Sequence, residues 1–150
     1  MKKYEITGET KIFNGHTLHR IRAKRDLSIG IKTDELGGWI ETEDNLSQDG
    51  DAWISEGACV FGNALVNGDA IVTGNAVVFD DAIVSDNASV HGDAAVYDAA
   101  WICGNAMVFM KSEIRGTAKI CGNAAVYGDS IIEGEVEIHG DSEIKNGHIR

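Results

Sequence analysis

Proline is absent from all 150 residues. A chain without it has no residue barred from donating to a backbone ladder, which suits a fold where almost every N–H is paired between strands. Cysteine is scarce. Cys59, Cys103 and Cys121 make an odd total without the spacing of a disulfide scaffold, which points to a reducing cytoplasm. No stretch of 18 apolar residues occurs and no apolar segment follows the opening lysines, so neither a membrane span nor a signal peptide is expected. A phosphate-binding glycine loop, a Ser/His/Asp order and a basic recognition element are all missing. Positive charge is also short, with 13 Lys/Arg against 24 Asp/Glu and a net charge of −11. Its distribution is uneven: residues 1–32 hold eight Lys/Arg and three Asp/Glu, and residues 33–150 hold five and twenty-one. An acidic body repels nucleic acid and anionic membrane, so direct contact with either is not expected. The basic head can dock on that body, in its own chain or in a neighbour.

What the chain does have is a period of six. Sixteen consecutive hexads run from Ala52 to Gly147 without an insertion, each reading small-x-aliphatic-x-Gly-Asx, as in Ala64-Leu65-Val66-Asn67-Gly68-Asp69. The third position is Val or Ile in all sixteen, and the first is Ala in twelve. Six residues are too few for a helical repeat, and β-branched residues hold the fixed position, so the unit is a short strand and a corner. Side chains alternate along a strand, so Val66 points in while Leu65 and Asn67 point out. Ala70 fits an inward corner. Gly68 accepts turn dihedrals, and Asp69 or Asn63 is expected to tolerate a left-handed corner and to bond nearby amides. Units this short bury their apolar side only by stacking, which makes the chain a solenoid.

The hexads resemble the repeat of single-stranded left-handed β-helices, aliphatic-x-x-x-small-x, as in Val90-His91-Gly92-Asp93-Ala94-Ala95. That resemblance implies triangular coils of three hexads, so that residues eighteen apart stack. The expected fold is all-β: a left-handed β-helix of about five coils with an N-terminal β-hairpin cap. Bactofilin-like right-handed β-helices use similar Val and Gly spacing, which leaves the hand open.

Two segments follow from the pattern, 1–45 as hairpin and capping segment and 46–150 as the β-helix. Lys11-Ile12-Phe13 and His16-Thr17-Leu18 flank Asn14-Gly15, the strongest short hairpin signal. A solenoid end must be covered against end-to-end stacking, and the hairpin with the Trp39 segment reads as that cover. The elements Leu18-x-Arg20-Ile21-x-Ala23-x-Arg25-Asp26, Gly37-Gly38-Trp39-Ile40-Glu41 and Asn45-Leu46-Ser47-Gln48, followed by the hexads, resemble the YdcK-like hexapeptide-repeat proteins of bacteria and their prophages. That group brings no established catalytic residues to carry over.

Stacking every eighteenth residue sorts the outward positions into columns. Cys59, Val77 and Ala95 stand beside Phe61, Phe79 and Tyr97; Leu65, Ile83 and Trp101 stand beside Asn67, Ser85, Cys103 and Cys121; Met107 lies beside His91, Phe109 and Tyr127. The binding-surface candidates are Phe61, Phe79, Tyr97, Val77, Leu65, Ile83 and Trp101, because contiguous apolar stripes call for the head, a sister subunit or another protein. Aromatic stacking that only stabilises the sheet is the plainer account. Hexapeptide-repeat acyltransferases use a histidine base, and His91, then His139, are the candidates on outward strand positions. Family sites rely on a loop extruded from a coil, and these hexads have none. Cys103, Cys121 and His139 share a column. Its coil spacing of ~4.8 Å reads as too long for an S–S bond but able to let two thiolates share a zinc, with no fourth ligand marked.

The leading expectation is a non-enzymatic structural or protein-interaction β-helix with no cofactor and no metal. Its partner is itself, a trimer being favoured, or an unidentified protein. The alternatives are a trimeric acyltransferase-like enzyme and a phage-type acidic decoy of a host protein.

Overall fold

The computed structural model describes residues 2–55 and 57–150. Every hexad forms a two- or three-residue strand at its second and third positions, from Trp53–Ile54 to Glu143–Lys145. Successive strands fall in turn on three parallel sheets, so each strand pairs with the one eighteen residues on, as Val77 with Ala95 and Ile83 with Trp101. The ladder is closed by backbone bonds between coils, for example from Val77 N–H to the Ala94 carbonyl at 3.0 Å. This is a β-solenoid of stacked parallel-strand coils.

Inside the prism the periodicity becomes packing. The aliphatic third position is fully buried from Ile54 to Ile132, and the small first position is buried from Ala52 to Ser130. A larger first residue would strike the coil above or below it. Each buried Val or Ile contributes about 1.5–3 kcal/mol relative to an exposed one, so the column of repeats is the source of stability.

The corners correct one expectation. The left-handed residue is the fifth of the hexad, not the sixth. Gly62, Gly68 and Gly74 take φ of 67°, 65° and 69°, and where glycine is replaced, Asp80, Asp86 and Asp98 take 57–58°. Short acidic side chains tolerate this region because they bond locally. Asp86 accepts from Gly104 N–H and Asp98 from Gly116 N–H, both at 2.9 Å, tying one coil to the next. The sixth position supplies amide ladders instead, with Asn105 donating to Asn123 and Asn123 to Asp141 at 3.1 Å each.

The N-terminal end is closed by three strands. β1 (Tyr4–Phe13) and β2 (His16–Ala23) form the antiparallel hairpin, turning at Asn14-Gly15 with φ of 50° and 81°. β3 (Leu36–Ile40) pairs antiparallel with β2 on one side and parallel with Cys59–Val60 on the other, so it is both cap and first rung. Leu46 bridges Val66, and at the other end His148–Ile149 pairs Ile131–Ile132, which extends the stack to about six turns. Gly37 and Gly38 are needed for close approach: a Cβ on either would lie 2.7 Å from the carbonyl of Ile54 or Ala58.

Polar groups finish the cap. Asn45 is fully buried yet satisfied, accepting from Glu41 and Thr42 N–H and donating to the Gly62 and Ala64 carbonyls. Gln48 accepts from Lys3 N–H, and the Tyr4 hydroxyl donates to the Leu46 carbonyl at 2.6 Å. Among the described residues the C-terminal rungs carry no such plug, and Val136, Ile138, Ile144 and Ile149 there are only partly buried.

Candidate interaction faces

The nine-stranded sheet carries the aromatic ladder on its outer side. Phe61 and Phe79 stack at 5.2 Å between ring centroids and Phe79 and Tyr97 at 4.8 Å, with planes within 7°. Because the hairpin continues this sheet, its side chains reach the top of the ladder. Phe13, His16 and Leu18 close over Phe61, which is 3 % exposed, and Cys59 is buried beside it. Burial raises the Cys59 thiol above its ordinary pKa, so it is an inert core group. Of the proposed binding surface here, Phe61 is thus occupied by its own chain, and Val77, Phe79 and Tyr97 are half-buried. His16 bonds Glu41 at 2.9 Å, and Glu41 also accepts from Gly62 N–H, so its carboxyl is held below the usual range.

Below Tyr97 the ladder becomes a polar network. Arg115 donates to the Tyr97 hydroxyl, to Glu113 and to Glu133, Tyr97 donates to Glu113, and His148 lies 2.7 Å from Glu133. These charges answer one another, which leaves the lower half of this face well solvated.

On the five-stranded sheet, Leu65 and Ile83 are half-buried, and Trp101 stands 40 % exposed. Its indole N–H donates to the Ser85 hydroxyl at 2.9 Å, and the Lys119 ammonium lies over its ring at 4.6 Å. The cysteine column departs from expectation. A disulfide needs Cα atoms about 4.4–6.8 Å apart, and those of Cys103 and Cys121 are 4.7 Å apart, so the coil spacing does not by itself keep the two sulfurs from bonding. Among the described residues no three His, Cys, Asp or Glu side chains gather as a metal group, so His139 completes no site with this pair.

The six-stranded sheet holds His91, stacked on Phe109 at 4.9 Å, with Phe109 stacked on Tyr127 at 5.0 Å. Burial depresses the His91 pKa, which keeps the ring neutral at neutral pH. A general base also needs an orienting partner and a place for the reacting atom. His91 has the first rung of an aromatic platform instead. Sequence columns placed it there but gave no weight to Met107 and Met110, which are 43 % and 51 % exposed. The available signal for Met110 was that it interrupts the glycine position.

The fold defines the class, a β-solenoid consistent with the β-helix superfamily. The sequence matches no protein-family model and no curated protein. No helix among the described residues is long and apolar enough to cross a membrane.

Proposed function

We propose that this chain is a non-enzymatic interaction module, a stiff acidic rod that presents flat faces to copies of itself or to a protein partner. In this reading it is a cytoplasmic, YdcK-like, left-handed hexapeptide-repeat protein. The observation that carries it is the set of large apolar side chains left standing on otherwise regular coils: Trp101, Met107 and Met110, all within one turn. The hairpin takes up Phe61, so on the coils these three are the large apolar side chains left exposed; Ile12, Ile29 and Leu36 are exposed on the head. Isolated exposed side chains are ordinary, but Met107 and Met110 stand together on the six-stranded face and its corner beside an aromatic stack, while Trp101 stands on the five-stranded face.

The acyltransferase reading rests on His91, neutral and outward, and the decoy reading on the acidity. Against the decoy, Asp86 and Asp98 are committed to backbone amides of neighbouring coils and do not form a free charge stripe. The test is calorimetric titration with acetyl-CoA and with CoA. The interaction module gives no saturable binding. Saturable binding that His91→Ala or His139→Ala abolishes, with the fold intact, overturns it in favour of the enzyme.

A further inference from the structure

The outer side of the six-stranded sheet has a self-complementary relief. In one column Ile71, Ser89, Met107 and Ala125 lie on successive rungs, so exposed Met107 is a knob between two dents. In the next, His91, Phe109 and Tyr127 form a flat aromatic platform with planes within 9°. At the corner beyond it, Asp93, Lys111 and Asp129 follow one another over the same three rungs and, with Met110, line an open cleft of about 420 Å³. Lys111 is in no ion pair among the described residues.

We propose that this face joins two copies of the chain, packed antiparallel about a two-fold axis that lies in the interface and runs along the strands. The proposal rests on the interaction-module reading and names its partner. Such a rotation reverses the order of rungs and keeps each column opposite itself. Trp53 on the first rung is buried against Tyr4, so the contact spans the four rungs from Ile71 to Ala125, and its centre puts the axis midway between Ser89–Val90 and Met107–Val108. That register answers every feature of the relief. Met107 of each copy enters the dent at Ser89 of the other. Phe109 meets His91 across the platform, and Lys111 faces Asp93, giving two equivalent charge pairs. Moving the axis one rung toward the C-terminal end also seats Met107, at Ala125, and answers Lys111, with Asp129, but it sets Glu143 against Ser89 in place of Ile71 against Ala125 and leaves two strands of each copy uncovered.

A parallel pair does worse. Its two-fold runs along the prism, so each rung faces its own rung and the columns exchange. Met107 then meets Phe109, knob against platform, and Lys111 meets Asn105 with no charge to answer it. An isologous contact needs such reciprocal matching, and only the antiparallel arrangement supplies it here. Two columns over four rungs cover roughly 200 Å² a side, which belongs to weak, concentration-dependent association.

The experiment is sedimentation velocity on the full chain from about 10 µM to 1 mM, a range chosen for weak complexes. The expected result is a reversible monomer–dimer equilibrium that Met107→Glu abolishes while the thermal transition is retained. Lys111→Asp and Asp93→Lys, which change net charge in opposite directions, each weaken the dimer about a hundredfold, because the two-fold removes both close charge pairs at roughly tenfold each, and K111D/D93K together restore it. A monomer at every concentration overturns the proposal. So does a trimer, a dimer unaffected by Met107→Glu, or singles whose effects follow net charge without rescue in the double variant. A monomer that also ignores acyl-CoA overturns the dimer alone and leaves the module a foreign partner, whereas acyl-CoA binding overturns the reading beneath it.

Discussion

Phe13 of the hairpin meets Phe61 of the prism edge to face, with ring centroids 5.8 Å apart and 68° between the planes. This contact fastens the basic head to the acidic body of its own chain. Phe61 is almost wholly buried, so Phe61→Ala removes both its burial and the aromatic contact, at a cost of about 3 kcal/mol. Phe13→Ala costs less, because Phe13 is only partly buried. Urea unfolding measures both, and limited proteolysis in the Asp26–Leu36 connector should speed up in the same order.

Lys3 is wholly enclosed, and its ammonium donates to the Ala52 carbonyl at 2.7 Å. Burial and then Arg25 lower its pKa from 10.5 to about 8, against the pull of Asp51, Asp49 and Asp69. The folded value lies below the unfolded one, so above pH 8 the unfolded chain binds more protons and stability rises with pH. Below pH 8 both states are protonated and the burial cost is constant. Between pH 7.5 and 9 the gain should be about 1 kcal/mol, read from urea melts. Lys3→Met should flatten that slope. Nearer pH 10 Tyr4 opposes the trend, since burial raises its phenol and the unfolded chain ionises first.

Met110 holds φ at 59°, where the equivalent residues of neighbouring coils are Gly92 at 68° and Gly128 at 74°. A left-handed conformation costs a residue with a Cβ about 1–2 kcal/mol. Met110→Gly should therefore raise the melting temperature by several degrees, an effect differential scanning calorimetry resolves. The same change removes an apolar side chain from the rim of the Met107 face, so stability and self-association should move in opposite directions.

Gly38→Ala should be among the most damaging single changes. Its Cβ would lie 2.7 Å from both the Ala58 carbonyl and Ile54 Cγ2, and backbone cannot yield as a flexible side chain does. A loss of more than about 2 kcal/mol is expected from overpacking at a site with no room. Gly8→Ala, with nothing within 4 Å, is the control and should be nearly silent.

The repeat was legible because one interaction is made sixteen times. Val or Ile at a fixed phase can be buried only if coils stack, and Gly-Asx can be tolerated only at a corner. The hairpin was legible for a local reason, the Asn14-Gly15 turn. Cap details were not, because Lys3 meets Gln48 and Tyr4 meets Leu46 across 45 and 42 residues, and these pairs follow no period. Phe61 shows the limit for the surface: column stacking places it outward, and only tertiary packing reveals that the hairpin lies on it. The fifth-position aspartates Asp86 and Asp98 carried no signal of their own, because the amides they bond lie one coil away.

The two ends of the rod are not alike. One is plugged by Tyr4, Leu46 and Asn45, while the other stops at partly bare rungs. Under a pulling force the coils should therefore peel from the C-terminal end, each event releasing the same length of chain because the register between rungs repeats every eighteen residues. Where Cys103 and Cys121 are oxidised to a disulfide, the loop between them, 18 residues apart in sequence, would stay closed and shorten one step. An optical-tweezers trace would then resemble a staircase of equal treads with one that is cut short, and the bond would mark on that staircase how far the chain had come apart.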